Sequence, residues 1–495
     1  MHNIIKINVD DDVVVMLEDA KKGDVIENAN EKITLLDDVP MGHKVAIRDI
    51  KEGQDVIKYG YSIGKAQRDI KVGEWIHSHN LATGLGEILE YKFNGGVEDT
   101  KVVDSDLTFK GYVRENGEVG IRNDIWIINT VGCINKTCEI LAKEGNKLIN
   151  DKIDGVYNFP HPFGCSQLGD DFEYTRKILA DLVNHPNAGG VLVVALGCEN
   201  NTLEGFKELL EPINNNRIKF LKTQDVEDEI EEGKKLIKEL IDYASKFERE
   251  DVSISKLKIG VKCGGSDAFS GVTANPMLGR ISNELVEVGG TVIQTEVPEM
   301  FGAETILFDR SINKDVFDKS VDLINNFKEY FMRYNQVIYE NPSPGNKKGG
   351  ITTLEEKSLG CVQKSGKAVV RDVLAYGERA TKRGLNLISG PGNDLVAVTV
   401  LAAAGSHIVL FTTGRGTPYG GCVPTLKIST NSRLYNNKKN WIDFNAGQLL
   451  ETKDSKKVDE DFLKLIIDTA SGDYKAKNEV NEYREISILK DGVTL

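Results

Sequence analysis

Lys262-Cys-Gly-Gly-Ser-Asp267 places an ammonium, a thiol, a hydroxyl and a carboxylate within six residues, and Ser270-Gly-Val-Thr-Ala-Asn-Pro276 adds further hydroxyls and an amide. Such a polar, glycine-rich stretch suits the binding of a polar ligand better than the filling of a core. Five further glycine–cysteine pairs punctuate the chain, at Cys133, Cys165, Cys198, Cys361 and Cys422, three of them in the polar loops Gly132-Cys133, Gly164-Cys165-Ser166-Gln167 and Gly197-Cys198-Glu199-Asn200. Their thiols could be soft metal ligands, could carry an iron–sulfur cluster, or could be incidental to anion-binding backbone amides. No C-x2-C pair encodes a cluster, and a lone cysteine is also simply a small hydrophobe. His77-Ser-His79 is the best metal candidate by residue type: if Glu74 to His79 is a strand, both imidazoles project from one face and reach one ion. The alternative is a structural pair on a β domain, since two ligands do not complete a site. Arg415, in Thr412-Thr-Gly-Arg-Gly-Thr-Pro418, could hold a carboxylate together with Lys262, Arg122, Lys364 and Lys427, the guanidinium fork being suited to bidentate capture.

These groups need elements to position them. Leu257 to Val261 reads as a strand running into the Lys262–Asp267 loop, and Met277 to Val288 as the helix after it. The same strand, loop and helix form recurs at Asp124–Thr130, Gly155–Phe159 and Gly190–Leu196, each apolar run ending in a glycine–cysteine loop. Continuous Val/Ile/Leu strands between helices predict largely parallel sheets covered on both faces, with ligands at their carboxyl ends. Residues 1–97 differ: short β-rich segments alternate with glycine turns and predict a small β domain. Residues 98–107 read as a polar linker, 108–250 as a middle α/β domain and 251–495 as a C-terminal α/β domain. The expected fold class is thus multi-domain α/β behind a β-rich N-terminal domain. The polar stretch Tyr339–Thr353 is too long for a plain connection, which points to function or mobility.

A 495-residue chain with 40% hydrophobic and 28% charged residues is a folded, multi-domain protein. Its net charge of -14 argues against nucleic acid and anionic membranes as partners, though not against a small anionic substrate held by a local basic pocket. The absence of a membrane-length apolar run or a signal-peptide core predicts a cytoplasmic protein. Seven cysteines fit a reducing compartment. Neither a Walker motif nor a G-x-G-x-x-G fingerprint is present, which argues against nucleotide binding.

His77-Ser-His-Asn80, Gly111-Tyr-Val-Arg-Glu-Asn-Gly-Glu-Val-Gly-Ile-Arg-Asn123, Pro162-Phe-Gly-Cys-Ser-Gln167, Leu196-Gly-Cys-Glu-Asn200, Cys263-Gly-Gly-Ser-Asp267 and Thr413-Gly-Arg-Gly-Thr-Pro418 together resemble the altronate/galactarate dehydratase family. The resemblance spans essentially the whole chain, whose length is nearer the altronate-type members. It implies an N-terminal SAF (β-clip) domain and a hydro-lyase that converts a sugar acid to a 2-keto-3-deoxy acid. A divalent metal, Fe²⁺ or Mn²⁺, is implied as cofactor, and a homo-oligomer, a dimer, is expected. Related sulfolactate sulfo-lyases are usually split into two chains, so this fused chain favours the sugar-acid reading; a sugar-acid sensor is the non-enzyme rival. Within this reading His77 and His79 are metal ligands, or one of them is the general base, with Cys165 and Cys198 as further ligands. Lys262 and Asp267 take part in catalysis, Arg415 with Lys262 holds the carboxylate or distal end, and Ser266 and Asp267 bind hydroxyls. Asn80, Arg122, Gln167, Asn200, Asn275 and Lys427 complete the substrate shell.

Overall fold

The computed structural model describes residues 3–495 except Asn30, Glu87 and Lys453. The described residues up to 84 are β-rich. Ile4–Ile5, Val13–Met16, Lys44–Ala46 and Trp75–Ile76 form one antiparallel sheet, and Asp55–Lys58, Tyr61–Ala66 and Leu81–Ala82 a second. Glycine turns set the corners; at Gly73 (φ +85) an added Cβ would lie 2.1 Å from the Thr34 carbonyl. The described residues of 83–107 contain neither helix nor strand and run across the C-terminal domain, where Tyr91 donates to Glu304 (2.5 Å) and the Val103 amide to the Glu287 carbonyl (2.8 Å).

A four-stranded parallel sheet follows, made of β1 (Asp124–Asn129), β2 (Val156–Asn158), β3 (Ala188–Ala195) and β4 (Ile218–Lys222) in the order β2-β1-β3-β4. Every residue of β1 and β3 is buried, as expected of strands covered by helices on both faces. The expected boundary near residue 250 is a strand, Arg249–Ser253, paired antiparallel with Thr108–Val113, so the middle domain's first and last segments close on each other.

The C-terminal domain is a seven-stranded parallel sheet. Its strands are β5 (Lys258–Cys263), β6 (Thr291–Gln294), β7 (Val370–Leu374), β8 (Gly384–Ile388), β9 (Ile408–Thr413), β10 (Thr425–Ser429) and β11 (Phe444–Asn445), ordered β7-β8-β6-β5-β9-β10-β11. The chain leaves β5 toward β6 on one side and leaves β9 toward β10 on the other. The crevice between the carboxyl ends of β5 and β9 is therefore the switch point where open parallel sheets bind ligands. The Lys262–Asp267 stretch sits there: the Gly264 amide donates to the Thr412 carbonyl (3.0 Å), and the Arg415 amide to the Gly265 carbonyl (3.0 Å).

The polar stretch 339–353 is ordered around a short helix, Pro344–Lys348, whose start is held by a Ser343–Asn346 capping box. It lies between the β domain and the switch point. His77 and His43 donate from Nε2 to the carbonyls of Lys347 (2.9 Å) and Lys348 (3.3 Å), adding donors to the carbonyls at the helix's C-terminal end. Among the described residues no helix is long and apolar enough to cross a membrane.

Candidate functional site

Cys263 ends β5, Glu296 and Glu299 follow β6, and Cys361 ends the helix Leu354–Cys361. Their ligand atoms all lie within 4.8 Å of one another, and all four residues are buried. Three lysines interleave them. Lys364 Nζ is 3.1 Å from each sulfur and bonds Glu296 Oε2. Lys262 Nζ bonds Glu296 Oε1 (2.6 Å) and pairs with Asp394 (3.0 Å), and Lys357 Nζ bonds Glu299 (2.9 Å). Three ammonium groups thus face three carboxylates, a balance that a buried cluster requires.

Two local devices bring the acids together. Glu296 adopts a left-handed backbone (φ 70°, ψ 49°), which a side-chain-bearing residue takes up only where its surroundings impose it, often at functional sites. The following short turn then aligns Glu299 three residues on. Glycines provide the space: a Cβ on Gly264 would meet Asp394 Oδ1 at 2.5 Å, and one on Gly392 would meet Glu299 Oε1 at 3.0 Å.

The electrostatics follow from this packing. Burial alone would raise Glu299, but Lys357, Lys262 and Lys364 overcome it and hold the carboxylate down at about 2. Burial would likewise neutralise Lys262, yet Glu296, Asp394 and Glu299 keep it a cation. The Cys263 thiol is pushed down by a hydrogen bond from Cys361, aided by Lys364, whereas Cys361 is pushed up because it keeps the shared proton. A divalent ion fits this set when the two thiols ionise, since two thiolates offset its charge. Lys364 Nζ occupies the space between the sulfurs, so a bound ion requires that ammonium to withdraw.

The cluster opens on a cleft of about 640 Å³ lined by Cys263, Glu299, Asn341, Lys347, Lys357 and Asp394, among others. Its volume is in the range of small-molecule sites. A second cleft of about 520 Å³ lies against the other flank of the loop and includes Asp267, Lys348, Arg415 and Arg433 in its lining.

The residues singled out in the sequence therefore fall into several places. Lys262 is in the cluster but fully buried, a counter-ion and not a surface group. Asp267 and Arg415 line the second cleft; Asp267 accepts from Thr430 (2.8 Å), Asn431 (3.1 Å) and the Phe269 amide (3.1 Å), and burial raises its pKa. Ser266 is buried, its carbonyl taken by Asn346. Asn275 bridges Gly360 and Thr412. Gln167 and Asn200 tie middle-domain loops, accepting from the Gly164 and Ser166 amides. Cys165 and Cys198 lie with them at the ends of β2 and β3, exposed and outside the cluster.

Other expectations are corrected. The strand expected over Glu74–His79 ends at Ile76, because Asn80 curls the chain into a turn by accepting from the His77 amide (3.0 Å) and donating to the Trp75 carbonyl (2.9 Å). His77 and His79 thus lose the alternation that would align them on one strand face. His77 uses Nε2 on Lys347 and Nδ1 on Ser78, and His79 is exposed beside Trp75. Asn80 is fully buried, a turn residue and not a substrate contact. Arg122 is buried and spends its guanidinium on Glu479 (2.7 and 2.9 Å) and backbone carbonyls, joining two domains. Lys427 is buried, drawn down to about 8 by desolvation despite Asp443, and lines neither cleft.

The residues missed were Glu296, Glu299, Cys361, Lys357 and Asp394. Their local signals are the two glutamates three apart beyond a strand, and the Gly360-Cys361 pair three residues before Lys364 at a helix end.

Three family models match consecutive parts of the chain: the altronate/galactarate dehydratase SAF domain over residues 2–84, the second domain of D-galactarate dehydratase/altronate hydrolase over 111–245, and the C-terminal domain of D-galactarate/altronate dehydratase over 254–494. An altronate dehydratase of Bacillus subtilis (strain 168) is 51% identical over all of both chains. One from Escherichia coli (strain K12) is 50% identical over 99% of each. The L-threo-forming galactarate dehydratase of Escherichia coli (strain K12) is 33% identical over 95% of this chain and 93% of its own.

Proposed function

This chain belongs to the altronate/galactarate dehydratase family, and from that premise we propose that it is a hydro-lyase acting on a sugar acid, D-altronate, and yielding 2-keto-3-deoxygluconate. The observation that carries the location of the chemistry is the Cys263–Glu296–Glu299–Cys361 cluster with its lysines, at the switch point of the C-terminal sheet and open to the larger cleft.

Dehydration removes the proton from C2 and the hydroxyl from C3, and the resulting enol tautomerises to the 2-keto acid. Lys357 and Lys347 line the cleft and offer ammonium groups to the substrate carboxylate, with Asn341 beside Lys357 (3.0 Å). Glu299, held near 2 by three ammonium groups, is a weak base and serves as a fixed negative charge and ligand. Asp394 is the carboxylate placed to take the proton: its side chain is 31% exposed toward the cleft, and Lys262 holds it at 3.0 Å. Lys357 Nζ, a cation at the cleft wall, is placed to give a proton to the departing hydroxyl. Cys263, Glu296, Glu299 and Cys361 would hold the divalent ion, and the paired thiolates favour Fe²⁺ over Mn²⁺. When bound, such an ion supplies Lewis acidity that makes the C2 proton more acidic.

The test is Asp394→Asn assayed with D-altronate. A general base contributes about 10²- to 10⁴-fold, so kcat falls by that range, exchange of the C2 proton with solvent is lost, and iron content stays at the wild-type level. Unchanged kcat and exchange would remove Asp394 from this role.

A further inference from the structure

Four of the seven cysteines, Cys138, Cys263, Cys361 and Cys422, are buried, while Cys133, Cys165 and Cys198 are free and exposed. Each exposed thiol follows a glycine just beyond one of three adjacent strands, β1, β2 and β3. The chain leaves β1 toward β2 on one side and β3 toward β4 on the other, so the carboxyl ends of β1 and β3 form the middle sheet's own switch point. Cys133 and Cys198 stand on its two sides.

The three loops are bonded into one unit. The Gly132 amide donates to the Phe163 carbonyl (2.8 Å), the Asn201 amide to the Gly164 carbonyl (3.0 Å), the Ser166 amide to Asn200 Oδ1 (2.8 Å), and Asn201 Nδ2 to the Thr130 carbonyl (3.2 Å). Each cysteine therefore sits within two residues of a bond joining its loop to another. Close approach is built in: at Gly164 (φ +101) a Cβ would come within 1.9 Å of the Thr130 carbonyl. The other ligand-type side chains of these loops are already engaged. Glu199 accepts from Thr130 (2.6 Å) and from the Leu196 and Gly197 amides (3.0 and 2.6 Å), and His161 bonds the Asn129 carbonyl (2.9 Å) and the Phe163 amide (3.2 Å). The thiols are left, and Cys198 already receives a donor, Gln224 Nε2, at 3.5 Å. The same loops hold two buried polar atoms without a partner, Gln167 Nε2 and Asn201 Oδ1.

We propose that Cys133, Cys165 and Cys198 carry an iron–sulfur cluster, separate from the cluster of Cys263 and independent of the role given to that site. A cluster is favoured over a single ion by spacing. Among the described residues, the set whose ligand atoms all lie within 4.8 Å of one another is the Cys263 set, so the three loop thiols do not form the closed ligand set of one ion. Thiolates of a cubane bind different irons and must stand wider. Three cysteines for four irons leave one iron open to water or to an oxygen of a small ligand. Three ligands drawn from three strand ends also explain why no short cysteine spacing announces them.

The test is anaerobic reconstitution of the full chain with Fe²⁺ and sulfide, followed by desalting and assay of iron and acid-labile sulfide. The wild type should retain about four labile sulfides per chain, the content of a [4Fe–4S] centre, with broad visible absorption that bleaches on reduction. Cys133→Ser, Cys165→Ser and Cys198→Ser should each lower labile sulfide at least tenfold with unchanged circular dichroism, while Cys138→Ser and Cys422→Ser keep it. Cys263→Ser with Cys361→Ser should leave labile sulfide intact, which separates this centre from the C-terminal one. Wild-type protein without labile sulfide, iron bound without sulfide, or loop variants that retain the full content would each overturn the proposal.

Discussion

At the scale of single residues, Lys364 decides how the thiol–carboxylate cluster meets a cation. Its ammonium lies 3.1 Å from both sulfurs, where an ion would sit. Lys364→Met should therefore raise Mn²⁺ affinity, by about tenfold or more if roughly 1.4 kcal/mol of competition is removed; calorimetric titration giving unchanged or weaker binding would contradict this. Because both thiols must ionise, metal binding should release protons. Affinity should then weaken as pH is lowered, by up to about a hundredfold per unit while both protons are displaced, and the number of protons released is measurable by titration in buffers of different ionisation enthalpy. The Lys262–Asp267 stretch was legible in the sequence because its chemistry is contiguous. Glu296, Glu299 and Asp394 were not, because they reach the same point from the ends of other strands and only the sheet order makes them neighbours.

At the scale of elements, the helix Pro344–Lys348 and the turn His77–Asn80 are coupled. His77 bonds the Lys347 carbonyl, and Lys347 lines the larger cleft, so His77 acts as a positioning residue. His77→Ala should raise KM for the sugar acid several-fold more than it lowers kcat, with iron content unchanged; loss of bound iron would instead make His77 a ligand. The parallel strands were readable from unbroken Val/Ile/Leu runs, and the observed β1, β3 and β5 follow them. The strand expected to carry both histidines was not, because β-propensity over Glu74–His79 yields to the side-chain hydrogen bonds of Asn80 with its own backbone neighbourhood.

At the scale of the whole molecule, the β domain is fastened over the C-terminal domain by a buried ion triad. Glu356 accepts from Lys44 (2.9 Å) and Lys58 (2.7 Å), and all three side chains are buried. Burial opposes the Glu356 charge, but the two lysines hold its pKa down at about 2, and Lys44, the less fully compensated ammonium, is drawn down by burial to about 8. A carboxylate depressed on folding contributes stability that is present above its unfolded pKa and lost as pH falls through the folded one. From about 4.5 to about 2 this contribution is on the order of 3 kcal/mol. Glu356→Gln leaves two buried ammonium groups without a counter-ion and should destabilise by about 3–5 kcal/mol; denaturant unfolding at pH 7 within 1 kcal/mol of wild type, by the roughly ±10–15% precision of such extrapolation, would contradict it. The order of a β-rich start and two parallel α/β sheets was legible from the change in hydrophobic pattern. The docking of the first domain on residues 344–356 was not, since buried lysines read as solvated charges until their partner, some 300 positions away, is brought beside them.

The central claim, sugar-acid dehydration at the C-terminal cluster, is tested most directly by incubating Fe²⁺-loaded wild-type protein and its Glu299→Gln variant anaerobically with D-altronate and measuring 2-keto-3-deoxygluconate. Wild-type turnover with at least a hundredfold loss in the folded variant is the predicted result. No product from the wild type, or an undiminished rate in the variant, would contradict the account.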